Sequence, residues 1–505
     1  MFVNPLLHQP TWRDRLVQSP ILIACLALIT GGLIGGITAL GPLYAAAGVL
    51  ALFVVTALLV SVQTGLIATL AIATIIPFGT LPFKAIITPN FLTLVLVALN
   101  AVWLFRALAR SDTYDVRLGS LGVPLIGFLG LTFFSLVLGA RGLPDPQTLH
   151  NYAKFVLGVG CYFSVINCIR DRATLRFTIR ALIVVSGISA LIGLVLWTLP
   201  DAVALQFLVS LGRIGYPTSG RVLRYIEDDP NGLERAIGLG VDPNSFGGML
   251  ALVAVLTLTQ LATPQPILPR WVLATLGGLQ VLALLLTFSR AALFGLIIAA
   301  AFLATVRYPR LWRYMIVVGT VGAVLLVGLG YADDFIQRVL SGIQFRDQAQ
   351  QMRLGEYANA IAIIQRYPVF GIGFGQAPDL DLSAGVSSIY LAIAQRMGLV
   401  GLAVFLGLIG FWFTRSLQLL PALDDELASW LLGCQGALVA ALAVGVADHY
   451  FFNIEFSHMA TLFWATVGLG SAIETCVHPS LPSDLLRAYP HNRARADNEN
   501  SFTNP

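Results

Sequence analysis

The feature that most limits this chain is where its charge is missing. Apolar runs of about 20 residues, the length a helix needs to cross a bilayer, succeed one another through most of the sequence. Their interiors hold almost no Asp, Glu, Lys or Arg, and residues 181–200 and 291–306 hold none. Only 11% of the chain is charged and 57% is apolar, too little charge to cover a water-facing surface. The runs lie at about 21–40, 43–61, 64–82, 89–108, 120–139, 152–169, 177–199, 244–262, 269–288, 290–307, 311–330, 388–414, 427–446 and 456–475. The weakest are 64–82, with Pro77, Gly79 and Pro82, and 152–169, with Lys154. The expected fold is therefore an all-α polytopic membrane protein of about 12–14 transmembrane helices. A disordered chain, a secreted disulfide scaffold and a nucleic-acid binder are excluded. Cys25, Cys161, Cys168, Cys434 and Cys476 show no metal or disulfide spacing and read as packing residues. Gly31, Gly32, Gly35 and Gly36 form overlapping GxxxG pairs, suited to close helix packing.

Orientation follows from the basic residues of the short connections, which stay on the cytoplasmic side. They cluster at Arg13 and Arg15, at Arg106, Arg110 and Arg117, at Arg170, Arg172 and Arg176, and at Arg307, Arg310 and Arg313. With a cytoplasmic N-terminus, whose first run is a retained signal anchor, all of these fall inside, as does the tail bearing Arg487, Arg493 and Arg495. The expected organisation is a cytoplasmic N-terminus (1–20), an N-terminal bundle (21–199), a first extracytoplasmic loop (200–243) and central helices (244–330). A large extracytoplasmic loop with an amphipathic helix (331–387), C-terminal helices (388–476) and a disordered cytoplasmic tail (477–505) follow.

Spans without ionisable groups argue against ion-coupled transport, which places such groups near the midplane, and in favour of chemistry at one surface. The two long loops supply it. Residues 200–243 carry Arg213, Arg221, Arg224 and Arg235 among six carboxylates, and 331–387 carry Arg338, Arg346, Arg353 and Arg366 among six, with no lysine in either. The guanidinium fork grips phosphate in a bidentate way. Salt bridges within the loops are the alternative reading.

Five motifs stand out. Arg290, in TFSRAALFG, lies between two apolar runs with almost no loop, so it either snorkels to solvent or meets an anion at the membrane surface. In QQMRLGEYANAIAIIQRYP, Leu354, Tyr357, Ile361 and Ile364 recur at helical spacing, while Arg353 and Glu356 share another face. The GIGFG that follows Pro368 offers either backbone approach to phosphate or a flexible turn; without a βαβ unit it is no dinucleotide fingerprint. In DPNSFGG, Asp242 and Asn244 are natural caps at a helix N-terminus that would favour an anion. In ADHYFFN, Asp448 and His449 could serve acid–base chemistry or form a polar turn.

Taken in order, DPNSFGG, TFSRAALFG, Arg353 with YPVFGIGFG, and IYLAIAQRMGLVGL resemble the O-antigen ligase and Wzy-type polysaccharide polymerase superfamily over about 240–410. The resemblance implies a bacterial inner-membrane glycosyltransferase, needing no cofactor or metal, with a polyprenyl-diphosphate-linked glycan donor and a glycan or lipid acceptor. Arg290 matches the family's Ser-Arg motif and Arg353 the essential Arg of its large loop. The usual His-Asn before the Tyr-Leu of the next segment is replaced by Ser387 and Ser388, ahead of Tyr390 and Leu391. The base must then come from elsewhere, with His449, Asp448, Asp381 and Asp379 as candidates. The expected catalytic residues are Arg290, Arg353, His449 and Asp448, and the expected substrate-binding residues are Arg366, Asn244, Ser387, Tyr390 and Arg224. An exporter of polysaccharide or lipid-linked sugar, or a noncatalytic assembly component, is the alternative.

Overall fold

A computed structural model describes Gly31 and residues 61–81, 90–109, 116–139, 144–328, 348–375 and 385–477. The two runs at 21–61, most of the GxxxG pairs, Cys25, Asp379, Asp381 and the tail from 478 lie outside the described residues. From Val62 onward the chain forms one compact helical unit.

The helices, numbered here in chain order, are α1 (Val62–Ile75), α2 (Phe91–Ala109), α3 (Gly122–Gly139), α4 (Pro146–Cys168) and α5 (Arg172–Thr198). After the short α6 (Asp201–Ser210) come α7 (Pro243–Ala262), α8 (Arg270–Leu286), α9 (Arg290–Val306) and α10 (Arg310–Gly328). Then follow the amphipathic α11 (Gln348–Arg366), α12 (Ile389–Leu419), α13 (Asp425–Val444) and α14 (Ser457–Val477). Twelve of these, all but α6 and α11, coincide with apolar runs, and four are individually long and apolar enough to cross a membrane. The chain is an all-α multi-pass membrane protein. Its one described sheet is a two-stranded hairpin, β1 (Arg224–Tyr225) with β2 (Glu234–Arg235).

Why these segments stop where they do is local. Pro77 terminates α1, because proline cannot continue the helical hydrogen bonding. Asp171 caps α5 by accepting from the Thr174 amide at 2.8 Å, and Asp424 caps α13 by accepting from the Leu427 amide at 3.0 Å.

The centre of the bundle is α7, α13 and α14. Helix α7 is buried on nearly its whole circumference, as an apolar helix without a polar stripe must be. It packs on α8, α9 and α13, while α4 packs along α14. Small residues set the spacing: a Cβ at Gly295 of α9 would stand 2.8 Å from the Ala440 carbonyl oxygen of α13, so the two backbones touch. Cys161 and Cys434 are buried in this core.

The two ends of the bundle differ. At one end Arg172 pairs with Asp424, Arg176 with Glu426, and Arg307 with Asp425 at 3.1 Å. At the other end gather the β1–β2 hairpin, the start of α7, the α8–α9 corner, α11 and the connection 445–456.

Helix α12 is broken at Gly398, whose φ of 68° is open to glycine and strained for other residues. Segment 367–375 closes the break. Ile372 N and Gly373 N donate to Gln395 O and Arg396 O at 2.9 and 2.8 Å, and Leu399 N and Val400 N donate to Pro368 O and Val369 O at 2.7 and 3.4 Å. The GIGFG glycines therefore serve a close backbone approach, but to α12. Two of the run's amides are used there, which weakens the phosphate-cradle reading.

Candidate active site

Helix α11 carries the site's first residue. Its buried side chains are Ala360 and Ile363, which lie on the same stripe as Arg353 and Glu356 at i, i+3 and i+4 steps. Leu354 and Ile361 point outward, 42% and 46% exposed. The polar face is thus the one turned toward the bundle. Spacing identified the amphipathic helix but not its inward face, because that face is chosen by polar partners on other elements.

Those partners are specific. Arg353 Nη2 donates to Asp448 Oδ1 at 3.2 Å, and the pair is sheltered, at 20% and 3% side-chain exposure. Glu356 Oε2 accepts from the Ser387 amide at 2.9 Å and from Ser387 Oγ at 2.6 Å, while Tyr357 Oη donates to Ser387 O at 3.0 Å. Ser387, at the position where a histidine is usual in the resembled family, is held by a carboxylate within a turn of Arg353. Ser388 is buried beneath the 445–456 connection, its Oγ 3.4 Å from Gly445 O, and Tyr390 Oη donates to Leu442 O at 2.9 Å. Tyr390 therefore fastens α12 to α13.

The connection 445–456 carries the acid–base candidates. Burial pushes the Asp448 carboxyl up to about 7, against the opposing pull of Arg353 and Arg235. Its Oδ2 is buried with no hydrogen-bond partner among the described residues. Burial also pushes His449 below its ordinary value, so its imidazole is neutral near pH 7. Its Nδ1 is buried and unpartnered among the described residues, and its ring lies 4.7 Å from that of Tyr450. Burial raises the Tyr450 phenol well above its usual range, helped by Asp242, which accepts its hydrogen bond.

A third strand of the site comes from the hairpin. Arg235 Nε donates to Thr287 O at 2.8 Å and its Nη2 to Asn244 Oδ1 at 2.6 Å, and Ala236 N ties the strand to Leu286 O at 2.8 Å. One guanidinium thus links the DPNS corner to the TFSR corner. Asp242 caps α7 as expected, its Oδ1 accepting from Asn244 N and Ser245 N at 2.9 and 2.8 Å. Asn244 is instead Arg235's acceptor. Arg224 stands directly opposite Arg235 in the β register, and its Nε is buried without a partner among the described residues. The register thus puts two arginines on one face of the hairpin, of which Arg235 is turned to Thr287 and Asn244 while Arg224 Nε keeps its donor.

Two strained corners mark the same place. Val241, immediately before DPNS, has φ 67°, and Phe288, immediately before Ser289-Arg290, has φ 51°. A β-branched and a bulky aromatic residue in the left-handed region are outliers of the kind that gathers at functional sites. Arg290 opens α9 from an exposed position behind the Ser289 cap, whose Oγ accepts from Ala292 N at 3.4 Å.

The structure brings together Arg353, Asp448, His449, Ser387 and Asn244, and places Arg224 and Arg290 on elements tied to Arg235. Arg366 is different. It is exposed at the far end of α11, thirteen residues from Arg353, or about 20 Å along the axis. Sequence reasoning counted Arg235 among the loop arginines without singling it out. The available signal was its place just ahead of DPN. Among the described residues no group of three His, Cys, Asp or Glu side chains converges to hold a metal.

Residues 275–406, from within α8 to within α12, match the O-antigen ligase family (Wzy_C). No curated protein matches the chain. The match takes in Arg290, α11 with Arg353, and the broken α12; the hairpin and the Asp448 connection lie outside it and reach the same site through the fold.

Proposed function

We propose, with the O-antigen ligase match as premise, that the protein is a membrane glycosyltransferase moving a glycan from a polyprenyl-diphosphate donor to an acceptor hydroxyl. The observation that carries this reading is the Arg353–Asp448 pair, a part-buried cation of the kind that grips phosphate joined to a buried carboxyl that burial raises to about 7. Arg353, Arg235, Arg224 and Arg290 would take the donor diphosphate and stabilise the charge that develops as it leaves. Asp448, through its unpartnered Oδ2, would accept the acceptor's proton. One acceptor oxygen–C1 bond forms, the C1–oxygen bond to the diphosphate breaks, and polyprenyl diphosphate departs with the electron pair.

Two features support this division of labour. Ser387 hydroxyl is no base near neutral pH, and it is already committed as a donor to Glu356. The neutral His449 beside Asp448 could pass the proton outward or orient the acceptor. The arginines paired at the opposite end favour the cytoplasm by the positive-inside rule, which supports placing the site on the outer face of the inner membrane.

The test is transfer from a synthetic polyprenyl-diphosphate oligosaccharide by purified protein. Arg353→Ala and Asp448→Asn should each abolish turnover. Near-wild-type rates in both would overturn the assignment.

A further inference from the structure

At the end of the bundle that carries the Arg172, Arg176 and Arg307 ion pairs, away from Arg353 and Asp448, a groove of about 620 Å³ opens between α7, α9 and α10. Its floor is apolar, with Leu258 of α7 and Leu303 of α9, and its mouth carries Arg307, Arg310 and Tyr314. Helix α10 leans on α9 alone among its substantial described contacts, and Ile316, Val317 and Val321 remain more than half exposed along it. The groove therefore lies beside a helix that presents apolar side chains outward, as a surface facing hydrocarbon does.

The mouth has a charge problem. Arg310 and Arg313 both stand in the first turn of α10, which contains no acidic residue. The positive end of the helix dipole disfavours cations there, although the Leu311 and Trp312 amides already donate to Tyr308 O and Pro309 O at 2.8 and 3.2 Å. Arg307 has Asp425, but neither Arg310 nor Arg313 meets a carboxylate among the described residues. An anion at this corner would neutralise both guanidinium groups beside the positive end of the dipole, and the apolar trough below suits a chain attached to that anion. Trp312 and Tyr314, 42% and 65% exposed, lie where interfacial aromatics belong.

We propose that this groove binds an anionic glycerophospholipid of the bilayer, its phosphate on Arg310 and Arg313 and an acyl chain along Leu258 and Leu303. Basic pockets between membrane helices take such headgroups. The site is separate from the donor arginines, a bundle length of about 30 Å away, and does not depend on the reaction assigned to them.

The experiment reconstitutes the full chain in nanodiscs of equal phosphatidylglycerol and phosphatidylethanolamine and reads lipid retained after gentle detergent release by native mass spectrometry. Wild-type protein should retain phosphatidylglycerol at least tenfold over phosphatidylethanolamine, a comparison that needs no variant. Arg310→Ala/Arg313→Ala should erase the preference, and Ala300→Trp, which fills the groove, should lower retention of phosphatidylglycerol at least tenfold, with glycan transfer unchanged in both. Equal retention of the two lipids by wild type would overturn the proposal. So would full displacement of the lipid by inorganic phosphate together with undiminished retention in Ala300→Trp, since that pattern describes an anion site without a lipid chain.

Discussion

Arg353 and Asp448, 95 residues apart in the chain, meet at 3.2 Å. The elements that bear the two partners are each held by a further contact. Glu356 fixes the helix bearing one partner to Ser387, and the backbone of the connection bearing the other is tied back to α13 by Asp448 N donating to Val444 O at 3.0 Å.

Because the two groups act on one transition state, their losses should not add. Arg353→Ala and Asp448→Asn are each expected to lower kcat by about 100-fold or more, and the double variant to fall little further. Single-turnover transfer assays on the three proteins measure this, and a multiplicative double loss would mean the groups serve separate steps.

The acid–base assignment fixes a sign. Asp448, pushed up to about 7, is protonated below that pH and cannot take a proton. The logarithm of kcat/KM should rise with unit slope below pH 7 and level off above it. Substituting His449 by Asn should leave that limb in place, since burial lowers the His449 value and keeps it neutral there. A flat profile between pH 5.5 and 8 would remove Asp448 as the base.

Donor affinity should separate the arginines. Arg235→Ala and Arg224→Ala are expected to weaken binding of a polyprenyl-diphosphate analogue by about tenfold each, the scale of a charge-assisted hydrogen bond. Arg366→Ala should change it less than twofold. Titration calorimetry in detergent measures all three, and a large loss at Arg366 would redraw the site toward the far end of α11.

At Gly398 the backbone itself is the test. A Cβ there would stand 2.1 Å from Val369 O in a residue already at φ 68°, so Gly398→Ala should lower stability by about 3 kcal/mol or more. Gly407 and Gly410, further along α12, have open space around them, and alanine at either should be neutral or slightly stabilising. Thermal melts of the three variants in one detergent make the comparison.

The membrane helices were legible because each span is encoded within itself, by an apolar run and the polar residues that end it. Helix ends fell close to expectation, apart from α1, which stops at Ile75 before Pro77, α4 and α5, which begin at Pro146 and Arg172 ahead of their apolar runs, and α12, which continues to Leu419. The site was legible only in part. Arg353 stood out on the charged face of an amphipathic helix and through the family resemblance, and Asp448 and His449 as a carboxylate beside an imidazole. The hairpin that carries Arg235 was hidden, because two-residue strands have no period to read. The inward face of α11 was hidden as well, because apolar spacing alone cannot show that Asp448 and Ser387 lie on the other side. The glycine run was visible, but its partner is a helix break whose position depends on a contact across the fold.

The segment that fills the gap in α12 precedes it in the chain. During synthesis Pro368 to Gly373 emerge first, and the donors and acceptors around Gly398 meet partners already made. The gap in α12 thus need not wait in lipid with unsatisfied amides, a state hydrocarbon penalises heavily. Chain order thus makes these partners available before the break is made, so moving residues 367–375 behind α12 in a rearranged gene is expected to leave the contacts possible and hinder insertion.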